Sequence, residues 1–355
     1  MRVARSHFSR RALLRGVAPA ISGAVGAMGL ARQALGEQRG SSLAKARPES
    51  RKIWSAEYWA NKGEVKLYLY RKRLNAPQGT QAPLPVLFLV HGSTFPGRSS
   101  FDLSVPGHGQ YSVMDKFAAD GFDVWTIDFE GYGRSSRTQG NSDIASSIED
   151  LKAAEHVVAR ETGAERFHFY GEASGALRAG AFAMARPERV QRLVLVAFTW
   201  TGNGSATLKK RAAQLEYYRT HNRRPLDRDT IRSIFTRDKP GTADPAVVEA
   251  LVDSQQPFGD SVPSGTYLDM SANLPIVDPL KVNAPVLIVR GEYDGISTEE
   301  DQLNFFQRLP NPDRQYVIIP GASQWIGLGY NRQLLWHVTQ AFLDMPQRGD
   351  KVSES

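Results

Sequence analysis

The sequence predicts an α/β protein: a doubly wound, mostly parallel sheet carrying one helical insertion. Three observations carry this. Short apolar runs of strand length alternate with segments of helical periodicity from residue 65 to residue 343. One strand, Arg166-Phe167-His168-Phe169-Tyr170, runs into a helix at 175–185 through Gly171-Glu172-Ala173-Ser174-Gly175. Between the strands at 190–197 and 284–289 lie about 85 residues, far more than the usual two to six of such a connection.

Residues 65–70 alternate and read as an early strand. Residues 85–90 are continuously apolar, as in a strand buried on both faces. A helix is expected at 111–119 and a strand at 122–127. In 142–162, Ile144, Ile148, Leu151, Ala154 and Val157 fall at helical spacing. Then come the strand and helix around Ala173, and the strand at 190–197. The long connection holds helical pieces at 208–220, 228–235 and 245–252, and reads as a helical cap. The strands at 284–289 and 315–319 and a helix at 332–343 close the chain. The expected organisation is a leader at 1–36, a linker at 37–51, a core at 52–200 and 283–345, a cap at 201–282 and a tail at 346–355.

Charge belongs mostly to the leader. The whole chain carries 44 Lys and Arg against 37 Asp and Glu. Residues 1–36 hold six arginines and no acid, so without them 38 basic residues face 37 acidic ones. Nothing there argues for nucleic acid. Ser9-Arg10-Arg11-Ala12-Leu13-Leu14-Arg15 is a twin-arginine pattern, followed by a Gly/Ala-rich apolar stretch and by Ala34-Leu35-Gly36, small residues suited to cleavage. The expected location is periplasmic or secreted. The absence of cysteine fits such a location, since no disulfide is needed there. Outside the leader no run approaches a membrane span. No metal-ligand spacing or phosphate-binding glycine pattern is present, so no metal or cofactor is expected.

The stretch 171–175 has the form of a nucleophile elbow, in which a strained strand-to-helix turn pushes the middle side chain into a cleft. Small residues are needed two before and two after that side chain. Centring on Ala173 places Gly171 and Gly175 there; centring on Ser174 places Glu172 there, which fits badly. The nucleophile position therefore holds alanine, and Ser174 is the residue after it.

With this elbow, four other landmarks resemble the α/β-hydrolase superfamily across residues 52–345, in its secreted carboxylesterase-like branch. His91-Gly92 resembles the oxyanion-loop His-Gly. Asp128-Phe129-Glu130-Gly131-Tyr132-Gly133-Arg134-Ser135 is similar to the family's Asp-x-x-Gly-x-Gly-x-Ser turn. Arg290-Gly291-Glu292-Tyr293-Asp294 resembles the segment that often bears the triad acid. Pro320-Gly321-Ala322-Ser323-Gln324 resembles the segment that ends in the catalytic histidine. The resemblance implies the α/β-hydrolase fold, with Asp294, Gln324 and Ala173 at the triad positions and Ser174, Ser93 and Gly92 at the oxyanion hole. In some members the acid instead ends the sixth strand; that neighbourhood here, Val194-Leu195-Val196, is apolar.

Alanine has no attacking atom, and glutamine cannot relay a proton. Loss of either triad member costs on the order of 10⁶ in turnover in a serine protease. Three readings remain: different chemistry in the old cleft, with Asp294 as general base; an inactivated Ser→Ala form of a carboxylesterase; or a non-catalytic ligand-binding relative. The expected ligand is a small hydrophobic or aromatic carbonyl compound. Trp200 and Trp325, with His91 and Glu172, are the expected contacts, among rings that include Phe198, Tyr217, Tyr218, Phe258 and Tyr267. The runs Lys209-Lys210-Arg211 and Arg223-Arg224 are expected to be a solvated face. A wholly apolar pocket would favour a binder; a compact, partly polar one with a charged group would favour an enzyme.

Overall fold

A computed structural model describes residues 52–79 and 82–346. The leader and the linker up to residue 51 lie outside the described residues, as does the tail from 347.

Eight strands form one sheet. They are β1 (Ile53–Lys62), β2 (Val65–Leu74), β3 (Val86–Val90), β4 (Asp123–Ile127), β5 (Phe167–Glu172), β6 (Val190–Val196), and two later ones defined below. Between them lie α1 (Gly97–Phe101), α2 (Val113–Ala119), α3 (Ile144–Thr162) and α4 (Ser174–Ala185). The insertion contributes α5 (Ala206–Ala212), α6 (Leu215–Thr220), β7 (Arg223–Pro225), α7 (Arg228–Thr236), α8 (Pro245–Gln255), β8 (Ser261–Pro263) and α9 (Gly265–Ala272). The chain then returns through β9 (Val286–Gly291), α10 (Glu299–Arg308), β10 (Arg314–Ile319) and α11 (Arg332–Leu343).

The sheet order is β1-β2-β4-β3-β5-β6-β9-β10. From β4 to β10 every pair is parallel; β1–β2 and β2–β4 are antiparallel. The strand β1 was not expected. It is an edge strand whose residues are mostly half-buried or exposed, so it shows no apolar run. The expected helix at 208–220 is two helices, broken between Ala212 and Leu215. The cap also contains a two-stranded β7–β8 ribbon with no counterpart in the expectations.

Alternation in the central strands feeds two cores. Val86, Phe88 and Val90 of β3 join the cluster on one face of the sheet, and Leu87 and Leu89 join the other. Helix α3 begins where the Asp143 side chain accepts from Ser146 N–H and ends at Gly163 in the left-handed region. Strand order reverses at β3, which has β4 on one side and β5 on the other. Ligands of open α/β sheets bind outside the carboxyl ends of the strands at such a point.

Helix α4 presses directly on β3 there. A Cβ built on Gly175 would lie 2.1 Å from the Val90 carbonyl oxygen and 2.8 Å from that of His91. Only glycine allows that approach. We therefore expect Gly175→Ala to cost about 3 kcal/mol or to prevent folding, by overpacking against backbone. Gly79→Ala, where nothing lies within 4 Å, is the neutral comparison. Urea unfolding of the two variants checks this.

Candidate active site

The elbow forms as its spacing requires. Ala173 sits between β5 and α4 with φ 55° and ψ −123°, a conformation non-glycine residues rarely adopt. Its N–H donates to the Val196 carbonyl of the neighbouring strand. A Cβ on Gly171 would stand 2.4 Å from the Gly175 carbonyl oxygen, so both glycines are there to let the turn close. Ser174 is the first residue of α4, and its N–H precedes the helix ladder.

The loop after β3 is anchored by its carbonyls. Arg178 of α4, fully buried, donates to the carbonyls of His91 (3.0 Å) and Gly92 (3.2 Å). His91 Nδ1 donates to Gly92 O at 2.7 Å, and its Nε2 accepts from Phe129 N–H. Burial, reinforced by the nearby Arg178 charge, pushes the imidazole pKa well below its usual value, so the ring is neutral. Tyr132 Oη (3.1 Å) and Arg224 Nη2 (2.8 Å) donate to Ser93 O. In a trans peptide the C=O and N–H point in opposite directions. With the Gly92 carbonyl drawn toward buried Arg178, Ser93 N–H points the other way. The loop and the elbow adjoin: a Cβ on Gly92 would be 3.6 Å from Ser174 N. Paired amides of this kind can hold an oxyanion.

Asp294 and Gln324, the positions expected for acid and base, share no hydrogen bond with each other. Asp294 Oδ1 accepts from the N–H groups of Ile296 (2.9 Å) and Ser297 (3.1 Å), while its buried Oδ2 has no partner among the described residues. Burial raises its pKa to about 6 against the pull of those two amides, and neighbouring Asp238 adds to the rise. Gln324 Oε1 instead accepts from Arg237 Nη2 at 2.6 Å. Arg237, just after α7, is in turn paired with Asp238. Asp238 rests on the Asp294 loop, its Oδ1 2.6 Å from where a Gly295 Cβ would stand.

A cavity with about 30 Å³ of water-accessible volume lies between these parts. That is room for one or two waters. Gly92, Ser93, Thr94, Ala173 and Ser174 form one wall; Arg211, Arg237, Tyr267, Gln324 and Trp325 are on the other side. The lining holds two guanidinium groups, a phenol and no carboxylate.

Several expected positions are corrected. Trp200 does not reach this cavity: Asp301 receives the N–H groups of Trp200, Thr201 and Gly202, Trp200 Nε1 donates to Val277 O, and the ring packs on Phe305. It edges a separate cavity with Arg308. Phe198 also packs on Phe305. His91 and Glu172 lie behind the wall. Glu172 is buried against Gly327, and burial lifts its pKa to about 7. Asp294 does not line the cavity either. Asp128 holds the turn, accepting from Gly97 and Arg134 N–H. Of the expected rings, Trp325 and Tyr267 line the cavity. Arg211 and Arg224 do not form a solvated face: both sit against Tyr267, at 4.1 and 3.8 Å from its ring centre. Among the described residues there is no group of three or more metal-ligating side chains, and no helix is long and apolar enough to cross a membrane.

Sheet order, elbow and oxyanion loop are those of an α/β-hydrolase. The pattern of the serine aminopeptidase, S33, family matches residues 108–323, and the chain belongs to that α/β-hydrolase family. A curated relative from Paraburkholderia phymatum, a 2-hydroxy-6-oxononadienedioate/2-hydroxy-6-oxononatrienedioate hydrolase, is 36% identical over 120 residues; the match spans 33% of this chain and 37% of that protein. Among solved structures, E-2-(acetamidomethylene)succinate hydrolase superposes with a TM-score of 0.59 at 19% identity, over 82% of this chain and 100% of its own. The 2-hydroxy-6-oxo-6-phenylhexa-2,4-dienoate hydrolase from Rhodococcus does so at 0.59 and 17%, over 83% and 100%. A carboxylesterase from Bacillus subtilis gives 0.59 and 18%, over 83% and 93%. At these identities the structures share the fold.

The stranded acid has a measurable signature. Its folded pKa, about 6, lies above the ordinary 3.8. The unfolded chain therefore loses this proton first, and folding loses stability as pH rises from about 4 to 6. The cost is complete above that window, at about 3 kcal/mol. Asp294→Asn keeps an acceptor for Ile296 and Ser297 without the charge. Its stability relative to the parent should climb between pH 4 and 6 and stay higher at pH 7 and 8. Urea titrations across that range check the difference.

Proposed function

We propose that this protein is an enzyme acting on a small carbonyl compound, hydrophobic or aromatic in part, without an acyl-enzyme intermediate. The observation that carries this reading is the cavity itself. It keeps an elbow amide and an oxyanion loop, and it sets charged and ionisable side chains against them in a compact, partly polar space. A site for passive apolar binding has no use for two guanidinium groups. A ligand carbonyl on the Ser174 and Ser93 amides would have its developing negative charge held there, while Ala173 leaves the volume a serine would occupy to ligand or water.

The Arg237–Gln324 contact supports this reading over that of a disabled esterase. A cap arginine donating at 2.6 Å to Gln324 gives the glutamine a specific partner. A catalytic histidine there would take its place beside the unpartnered Asp294 Oδ2. Oxo compounds appear in the names of the Paraburkholderia relative and the Rhodococcus hydrolase, which is in keeping with a carbonyl ligand. We place the protein in the periplasm or outside the cell, through the twin-arginine pattern at residues 9–15. The ligand is a small molecule; no cofactor enters the proposed chemistry.

The reading requires the parent to bind benzyl methyl ketone, read as a change in protein fluorescence that Trp325→Phe removes, and a parent that does not bind it would overturn the reading. The poise of the oxyanion loop and of Asp294 is checked separately by hydrolysis of 4-nitrophenyl acetate by the parent, Ala173→Ser, and Ala173→Ser with Gln324→His. The parent and the single variant should stay at background. The double variant should exceed them by at least about 100-fold, a part of the on-the-order-of 10⁶ that a full triad supplies. A double variant as inactive as the parent would mean that the Asp294 carboxyl or the oxyanion loop is not poised as described.

A further inference from the structure

Among the side chains that line the cavity, Tyr267 alone can give up or take a proton near neutral pH. Ala173 has no such group, Gln324 has none, and Asp294 lies behind the wall. A guanidinium group carries donors and no acceptor, so Arg211 and Arg237 offer no site to take the proton. Tyr267 is the third residue of α9 and packs across the cap. It faces Arg211 of α5 and Arg224 of β7, whose guanidinium carbons stand 4.1 and 3.8 Å from its ring centre. The third charged neighbour is Arg237, after α7; Tyr218 of α6 stands edge-on with ring centres 5.6 Å apart, and Glu216 and Tyr217 of α6 edge the outer cavity that Tyr267 also borders. Arg211, half-buried, forms no ion pair with a carboxylate among the described residues and packs on the Tyr267 ring instead.

We propose that Tyr267 is the proton-accepting residue of this cleft, working as a phenolate against the arginines of the cap on a carbonyl compound with an acidic C–H beside its C=O. This rests on the carbonyl-ligand reading above. Burial by itself would raise the phenol's pKa, but Arg211, Arg224 and Arg237 together outweigh it and bring it down to about 8. In the step, the phenolate oxygen forms a bond to the substrate proton. The C–H electron pair becomes the C=C bond of an enolate, and the carbonyl π pair moves onto its oxygen, where the Ser174 and Ser93 amides hold it. Returning the proton to the same carbon is exchange; returning it to a conjugated carbon is isomerisation. Negative charge passes from the arginine wall to the amide wall and back, with no change in the total.

The experiment tracks deuterium uptake by benzyl methyl ketone in deuterium oxide, by proton NMR, with the parent, Tyr267→Phe, Arg211→Gln and Tyr218→Phe. Binding of the ketone is read separately from Trp325, which lines the cavity, as protein fluorescence that Trp325→Phe removes. The parent should exchange the α-hydrogens at a rate that rises with pH to a plateau, midpoint near 8. Tyr267→Phe should lose at least about 100-fold while still binding the ketone. Arg211→Gln should move the midpoint upward, which a merely structural contact would not do. Tyr218→Phe should leave the profile in place. A ligand-free ultraviolet titration of the parent should show one tyrosinate forming around pH 8 that Tyr267→Phe lacks. The proposal is overturned if the parent binds the ketone without exchanging it, if Tyr267→Phe exchanges as fast as the parent, or if no tyrosinate forms below pH 9.5. In each of those cases the carbonyl-ligand reading stands as long as the ketone binds; if it does not bind, that reading falls with the proposal.

Discussion

A single backbone turn organises this molecule. Ala173 is held at φ 55° because Gly171 and Gly175 let β5 and α4 close to contact, and because Gly175 lies against the carbonyls that end β3. A conformation of that kind costs on the order of 1–3 kcal/mol and persists only where its surroundings over-determine it. The surroundings are the centre of the sheet: β5 pairs with β3 on one side and β6 on the other. From that turn come the position of the Ser174 amide, the direction of α4, and through Arg178 the setting of the oxyanion loop. The turn exists to present a side chain, and the side chain it presents is a methyl group.

Around that methyl group the elbow and the loop after β3 keep their geometry with no nucleophilic side chain at the turn. Asp294 remains buried at the end of β9, bonded on one oxygen and unpartnered on the other, with its charge a burden above pH 6. The cap has supplied other occupants. Arg237 reaches Gln324, Asp238 rests on the Asp294 loop, and Arg211 and Arg224 bracket Tyr267. Arg224 also holds Ser93 O, so one residue joins the arginine wall to the oxyanion loop. The charged side chains of the cleft, Arg211 and Arg237, come from the cap and not from the turn at Ala173.

The range of an interaction decides whether the sequence makes it legible. The elbow register could be read because its steric demand falls on residues two apart from the same position, and only Ala173 satisfies it on both sides. The central strand β3 could be read because burial on both faces makes it continuously apolar. The edge strand β1 could not, since half its surface meets water. Direction was the other blind spot. In Lys209-Lys210-Arg211, successive residues turn about 100° around the helix, and tertiary packing alone decides that the lysines are exposed while Arg211 turns to Tyr267. Trp200 departs from expectation for the same reason: Asp301, a hundred residues on, captures its backbone and draws the ring into the Phe305 cluster.

The central claim is that this cleft still receives a carbonyl group at the elbow amide but forms no bond to it. A crystal structure with benzyl methyl ketone tests that most directly. The account predicts the ketone oxygen within about 3 Å of the Ser174 N–H, its ring against Trp325, and a planar carbonyl carbon next to the Ala173 methyl group. A ketone found only in the outer cavities, with Arg237 and Tyr267 still closing the space above Ala173, would contradict it.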